Sequence, residues 1–252
     1  MVRPPLITPV RAKILIAVLL LGAALLVLLW DNPALAQQTI FNVPSADITP
    51  RGKLYVENEG QFRPWTPHPF YLGTQYDALG LGFNTELDLS MFNITAPSTH
   101  NLALAPGFRS CIPLLKERLK ERELKLTVGE LIPIQLIGDR SVGSWTYVHG
   151  SGRLPGINTR ITAGVSVGTK QLFGKNVVSF IGGIEQRVTR RFSVQADWFS
   201  GSHSLGLFIP GCAYVLPGKA IVFVGFQIPN TNSSGRTGFC IEVSRVNSLI
   251  PQ

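Results

Sequence analysis

The sequence predicts an all-β chain: an antiparallel β-barrel of about twelve strands that crosses a membrane, preceded by an export leader. Three observations predict it. The 252-residue chain alternates apolar and polar residues through most of its length, the period of two that marks strands. Only 15% of its residues are charged, against about 25% in soluble domains. Its mean hydropathy of +0.21 is too low for a bundle of apolar membrane helices. The 45% hydrophobic content excludes a disordered chain. Three cysteines are too few for a disulfide scaffold and leave at least one thiol unpaired in a monomer.

The first element is an address. Arg3, Arg11 and Lys13 open the chain, Ile14 to Trp30 form one apolar run, and Ala34-Leu35-Ala36 places small residues where a signal peptidase reads. These are the three parts of a secretory signal peptide. The expected division is a signal peptide over 1–36 and a barrel domain over 37–252, starting at Gln37. An uncleaved anchor is the alternative, since the run is near the lower limit for spanning. Residues 1–36 hold three basic residues and Asp31, so the formal charge falls from +8 to +6 on cleavage.

The strands follow in order. Gly52–Glu59 is the first, and a polar, Pro-rich connection runs from Gly60 to Thr74. Gln75–Phe92 alternates for too long to be one membrane strand of about 9–11 residues, so it splits at Phe83-Asn84-Thr85 into a hairpin. The remaining expectations are Leu102–Ile112, Leu124–Leu136, Ser144–Leu154, Thr159–Lys170, Val177–Val188, Phe192–Ser200, Ser204–Leu216, Ala220–Pro229 and Arg236–Val246. Pro155-Gly156, Thr189-Arg190-Arg191 and Pro217-Gly218 separate several of them, because Pro presets a turn and Gly supplies positive φ. An even strand count suits a single-chain bacterial barrel. Aromatics such as Trp65, Tyr71, Trp145, Tyr147 and Trp198 fall near strand ends, where a membrane interface favours them.

Several stretches also carry a resemblance. Thr39-Ile40-Phe41-Asn42-Val43-Pro44-Ser45-Ala46-Asp47, followed by Pro50-Arg51-Gly52-Lys53-Leu54-Tyr55, resembles the N-terminus of porin-like bacterial outer-membrane proteins. Ala196-Asp197-Trp198-Phe199-Ser200-Gly201 and Val224-Gly225-Phe226-Gln227-Ile228-Pro229-Asn230 resemble late strands of the same group. The resemblance implies a barrel in the outer membrane of a Gram-negative-type bacterium and brings no catalytic set. The chain departs from many such barrels in ending Ser248-Leu249-Ile250-Pro251-Gln252, without a terminal aromatic residue.

Chemistry-bearing residues are sparse. His149 and His203 could act with Ser202, Ser204 or Asp197, but no nucleophile elbow supports an enzyme. Cys111, Cys212 and Cys240 form no CxxC pair and read as small hydrophobes. Cys212 and Cys240 could approach across the tenth to twelfth strands, but they cannot bridge if their Cα atoms are more than about 7 Å apart. The expectation is no catalytic residue, no metal and no cofactor. The dense charge run Lys116–Glu123 reads as a hydrated turn. Scattered positive charge gives no nucleic-acid patch.

Parity places Glu86, Asp88, Lys125, Arg160, Glu185, Arg187, Asp197 and Glu242 on the lumen face, together with Lys53, Glu57, Glu59 and Gln195. That face supports a porin-like channel for passive passage of small solutes or ions, with the outer-membrane bilayer as partner and the oligomeric state open. A closed structural or adhesive barrel, or an exported soluble barrel that binds a ligand, are the alternatives.

Overall fold

A computed structural model describes residues 37–65, 71–96, 101–114, 122–157, 159–218 and 220–248. The expected leader therefore lies outside the described residues, as does most of the charge run at 116–123. Among the described residues, twelve antiparallel strands close into one barrel. They are β1 (Lys53–Phe62), β2 (Tyr71–Gly82), β3 (Thr85–Ala96), β4 (Ala103–Pro113), β5 (Lys125–Leu131) and β6 (Trp145–Arg153). The series continues with β7 (Thr159–Gly168), β8 (Val178–Arg187), β9 (Phe192–Phe199), β10 (Leu207–Val215), β11 (Ile221–Pro229) and β12 (Gly238–Ser248). Each strand pairs with its sequence neighbours, and β1 closes the ring on β12 from Lys53↔Ser248 to Phe62↔Phe239. Closure satisfies every edge, as a sheet in lipid requires.

Strand bounds differ from the sequence reading by a few residues, the third strand running on to Ala96 and the last spanning Gly238–Ser248, and at four places the reason is local. The fifth strand ends at Leu131 because Pro133 cannot donate to a ladder; a two-residue strand, Ile134–Gln135, then pairs back to Ala103 and Leu104. The seventh ends at Gly168, and Lys170–Phe173 forms one helical turn, α1. A Cβ at Gly168 would lie 2.0 Å from the Phe173 ring, so the missing side chain admits that turn. The tenth begins at Leu207, three residues later than expected from Ser204. The first connection is shorter than read, because β1 and β2 continue their ladder through Gly60↔Gly73 to Phe62↔Tyr71, whose rings stand 5.4 Å apart. The β2–β3 hairpin turns at Phe83 and Asn84, with φ of 54° and 55°, the positive pair that a two-residue type I′ turn requires.

The register fixes which side chains face in. Leu87, Leu89, Phe108, Ile161, Phe180, Ile184, Val194 and Val224 face outward and are exposed. Glu57, Glu86, Arg109, His149, Gln195, Gln227 and Glu242 face inward and are buried. A soluble fold hides apolar groups and displays charge. Here the order is reversed, as an outside meeting lipid requires. Cys111 and Cys240 point inward and Cys212 outward, all unbonded. Cys212 and Cys240 thus stand on opposite faces of the sheet and do not meet.

The barrel is not hollow. Residues 37–50 run back through the lumen, and Ile40, Phe41 and Val43 are wholly buried among inward-facing Trp145, Tyr147, Phe199, Ile209 and Phe223. Inward glycines make the space. A Cβ at Gly183 would lie 2.2 Å from Ile40 Cδ1, and one at Gly211 would lie 2.5 Å from Phe41 Cζ.

Candidate functional site

The site is the lumen and the segment that fills it. Gln38–Ser45 folds on itself, with Ile40 N donating to Val43 O at 2.8 Å and Ser45 N to Gln38 O at 2.9 Å. This bend turns three consecutive amides the same way. Phe41, Asn42 and Val43 all donate to Asp197 Oδ2 on β9, at 3.0, 2.7 and 2.7 Å. Converging backbone N–H groups form a concavity for an anion, and the wall carboxylate fills it. Gln195, two residues earlier on the same inward face, donates to Ile40 O at 2.6 Å.

Two ionic anchors hold the rest of the segment. Glu86 on β3 accepts from Gln38 Nε2 at 3.0 Å, from Thr49 N at 2.6 Å and from Arg109 Nε at 2.7 Å. Arg109 on β4 also donates to Gln38 O at 2.5 Å and Ser45 O at 3.1 Å. Further along, Arg160 on β7 forks between Asp47, at 2.7 and 3.0 Å, and Glu185 on β8, at 2.7 and 2.6 Å. Lys125 on β5 stands 3.4 Å from the same Asp47 oxygen. Burial pushes the Asp47 carboxyl up, but the Arg160 guanidinium and then Lys125 outweigh it, and its pKa falls to about 2. Bidentate, charge-assisted contacts of this type combine strength with fixed geometry.

Four of the charged residues that parity places on the lumen face therefore meet at one object: Glu86, Lys125, Arg160 and Asp197 hold residues 38–49, and Glu185 joins them through Arg160. Asp88 stands beside Gln38 and Thr39 in a small cavity. Arg187 is exposed at the end that carries the barrel termini. Glu242 lies on another wall, opposite Glu59. Arg109 escaped the sequence reading, since Ala103, Ala105 and Gly107 give the inward face of β4 little polar signal. The filling segment escaped it too, because fourteen residues with two prolines carry no strand or helix period.

The segment stands between two cavities. One, about 590 Å³, opens at the end of the long loops and is lined by Asn42, Glu59, Gln61, Tyr76, Phe92 and Trp145. The other, about 330 Å³, opens at the terminal end, with Asp47, Arg153, Arg160, Glu185, Arg187 and Arg191 in its wall.

The histidines do other work. His149 stacks on Tyr147 at 6.1 Å and is buried. His203 Nε2 lies 2.8 Å from Ser179 Oγ on β8, beneath the rings of Phe173 and Phe199. Burial holds the His203 pKa down, which favours the neutral ring. Neither Ser202 nor Ser204 is its partner, and Asp197 is occupied by the three amides.

Comparison with solved structures places this architecture. The KdgM porin, solved in complex with disordered oligogalacturonate, superposes with a TM-score of 0.52 over 79% of this chain and 99% of that one, at 7% identity. The fold is that of an outer-membrane porin-type barrel. Omp33 of Acinetobacter baumannii gives a TM-score of 0.44 at 8% identity, over 78% of this chain and 98% of that one. An outer-membrane channel from Pseudomonas putida F1 also gives 0.44 at 8%, over 81% and 99%. No protein-family model and no curated protein matches the sequence. The exposed apolar belt and this barrel fold together place the chain in an outer membrane of the Gram-negative type.

Proposed function

We propose that this porin-like barrel is a non-enzymatic channel for passive passage of small solutes or ions, narrowed by its own N-terminal segment. One observation carries the reading. Two cavities open from opposite ends of the lumen, and what separates them is a segment held by side-chain contacts and one carboxylate-capped bend. The ties described between residues 38–49 and the wall run through side chains, so releasing the segment breaks no hydrogen bond of the barrel ladder. Export in this reading proceeds by cleavage after Ala36, leaving Gln37 as the first residue, and the long loops lie outside the cell. Intact-mass measurement of the exported protein tests that start.

The channel is tested in planar bilayers. The mature protein is expected to give small conductance steps, and a variant lacking residues 38–46 several-fold larger ones. Silence from both overturns the reading. The interlocked ion pairs at Glu86, Arg109, Arg160 and Asp47 favour one rival, a closed structural barrel. For that rival, deleting the segment lowers the unfolding temperature and leaves the bilayer silent.

A further inference from the structure

A second cluster occupies the wall made by β12, β1 and β2, away from the segment's anchors. Glu59 and Glu242 sit directly opposite each other on β1 and β12, an arrangement that like charges disfavour. Between them stands a thiol: Cys240 Sγ is 3.5 Å from Glu59 Oε1 and 3.4 Å from Glu242 Oε1. One ligand atom from each of the three lies within 4.8 Å of the others. None of the three residues is more than 2% exposed. Glu57, the next inward residue of β1, adds a further buried carboxyl. Among the described residues no salt bridge reaches Glu57, Glu59 or Glu242.

An independent observation points to a ligand. Glu242 Oε2 and Glu57 Oε1 are buried without a hydrogen-bond partner, as are both amide atoms of inward-facing Gln227 on the neighbouring strand. Buried carboxylate oxygens with open lone pairs have to be balanced, by protons or by a cation. Glu59 is meanwhile oriented from outside the cluster, by Gln61 Nε2 at 2.6 Å and the Tyr76 hydroxyl at 3.3 Å. Metal ligands are commonly held by such partners.

We propose that Glu59, Cys240 and Glu242 form a site for a divalent transition-metal cation of the zinc class. A sulfur ligand with two carboxylates suits a borderline ion better than calcium or magnesium, which take oxygen alone. On binding, the Cys240 S–H proton and the protons that otherwise balance Glu59 and Glu242 leave to solvent, and the thiolate and two carboxylates take their places on the ion. The ion enters from the loop end, because Glu59 lines the cavity there. The site does not depend on passage through the lumen.

The test uses the purified, folded barrel in detergent and cobalt(II) as probe. One equivalent of cobalt is expected to produce a thiolate-to-metal charge-transfer band in the near ultraviolet, displaced by zinc. Cys240→Ser abolishes the band, Cys111→Ser and Cys212→Ser retain it, and Glu242→Gln weakens binding at least about tenfold. The heat-dependent shift on a denaturing gel certifies that each variant is folded, and Glu59→Gln replaces Glu242→Gln if the latter is not. A wild-type protein without the band, or a band that survives Cys240→Ser, overturns the proposal. The first result would mean that protons balance this wall.

Discussion

Two walls of one lumen treat buried charge in opposite ways. Between β3 and β8, two acid–base groups are matched: Glu86 with Arg109, and Asp47 and Glu185 with Arg160. From β12 to β2, Glu57, Glu59 and Glu242 crowd together with a thiol, and among the described residues none of the three carboxyls forms a salt bridge. The matched wall grips a peptide segment, and the unmatched wall faces a cavity. Buried pairs are costly to break because one charge is left behind, whereas an unpaired buried charge costs nothing further when removed. The same residue type therefore has opposite mutational consequences on the two sides.

Breaking the matched wall gives the largest effect. Arg109→Met strands the Glu86 carboxylate and is expected to cost about 3–5 kcal/mol, read as a lower unfolding midpoint in detergent. The double variant Glu86→Gln, Arg109→Met recovers much of that loss, since no charge remains. Asp197→Ala comes next. It removes the one acceptor that three buried amides share; because the bend relaxes, the expected net loss is about 1–3 kcal/mol, and conductance rises with the loss of stability. Asp197→Asn retains an oxygen and much of the hold.

The Asp47 anchor is milder and depends on pH. Its carboxyl titrates near 2 when folded, against an ordinary 3.8, so the pairing is fully present above pH 4 and is lost as pH falls through about 2. Acid over that range is expected to raise conductance in the wild type, and Arg160→Gln removes that step. On the unmatched wall, Glu242→Gln in metal-free protein is expected to leave stability unchanged or higher, which the same unfolding measurement checks. A marked destabilisation there would erase the contrast between the walls. Smallest of all, Arg187→Ala changes stability by no more than about 0.5 kcal/mol, because the side chain is exposed.

The strands were legible because a barrel repeats the simplest signal in a sequence. Ile161, Ala163, Val165 and Val167 against Arg160, Thr162, Gly164 and Ser166 divide outside from inside without any tertiary knowledge. Ends were less legible. Gly168 is read correctly only when Phe173 is seen beside it, and Pro133 interrupts a run that alternates on either side. What the inward residues hold was not legible at all. Asp197 and Phe41 are 156 residues apart, and Glu59 and Cys240 are 181 apart. Only closure of the sheet makes them neighbours, and no local pattern records it.

The filling segment also bears on the order of assembly. It precedes every strand of the barrel, yet its holds lie on strands as distant as β3 and β9, which stand around it only in the finished ring. A partial sheet offers Glu86 or Asp197, but not both at the right separation. Contacts this far apart in sequence form late, after the loop entropy between them has been overcome. The segment is therefore expected to seat last, so that a barrel in which β1 has not joined β12 leaves residues 37–50 in water and open to proteolysis, which limited digestion during refolding checks.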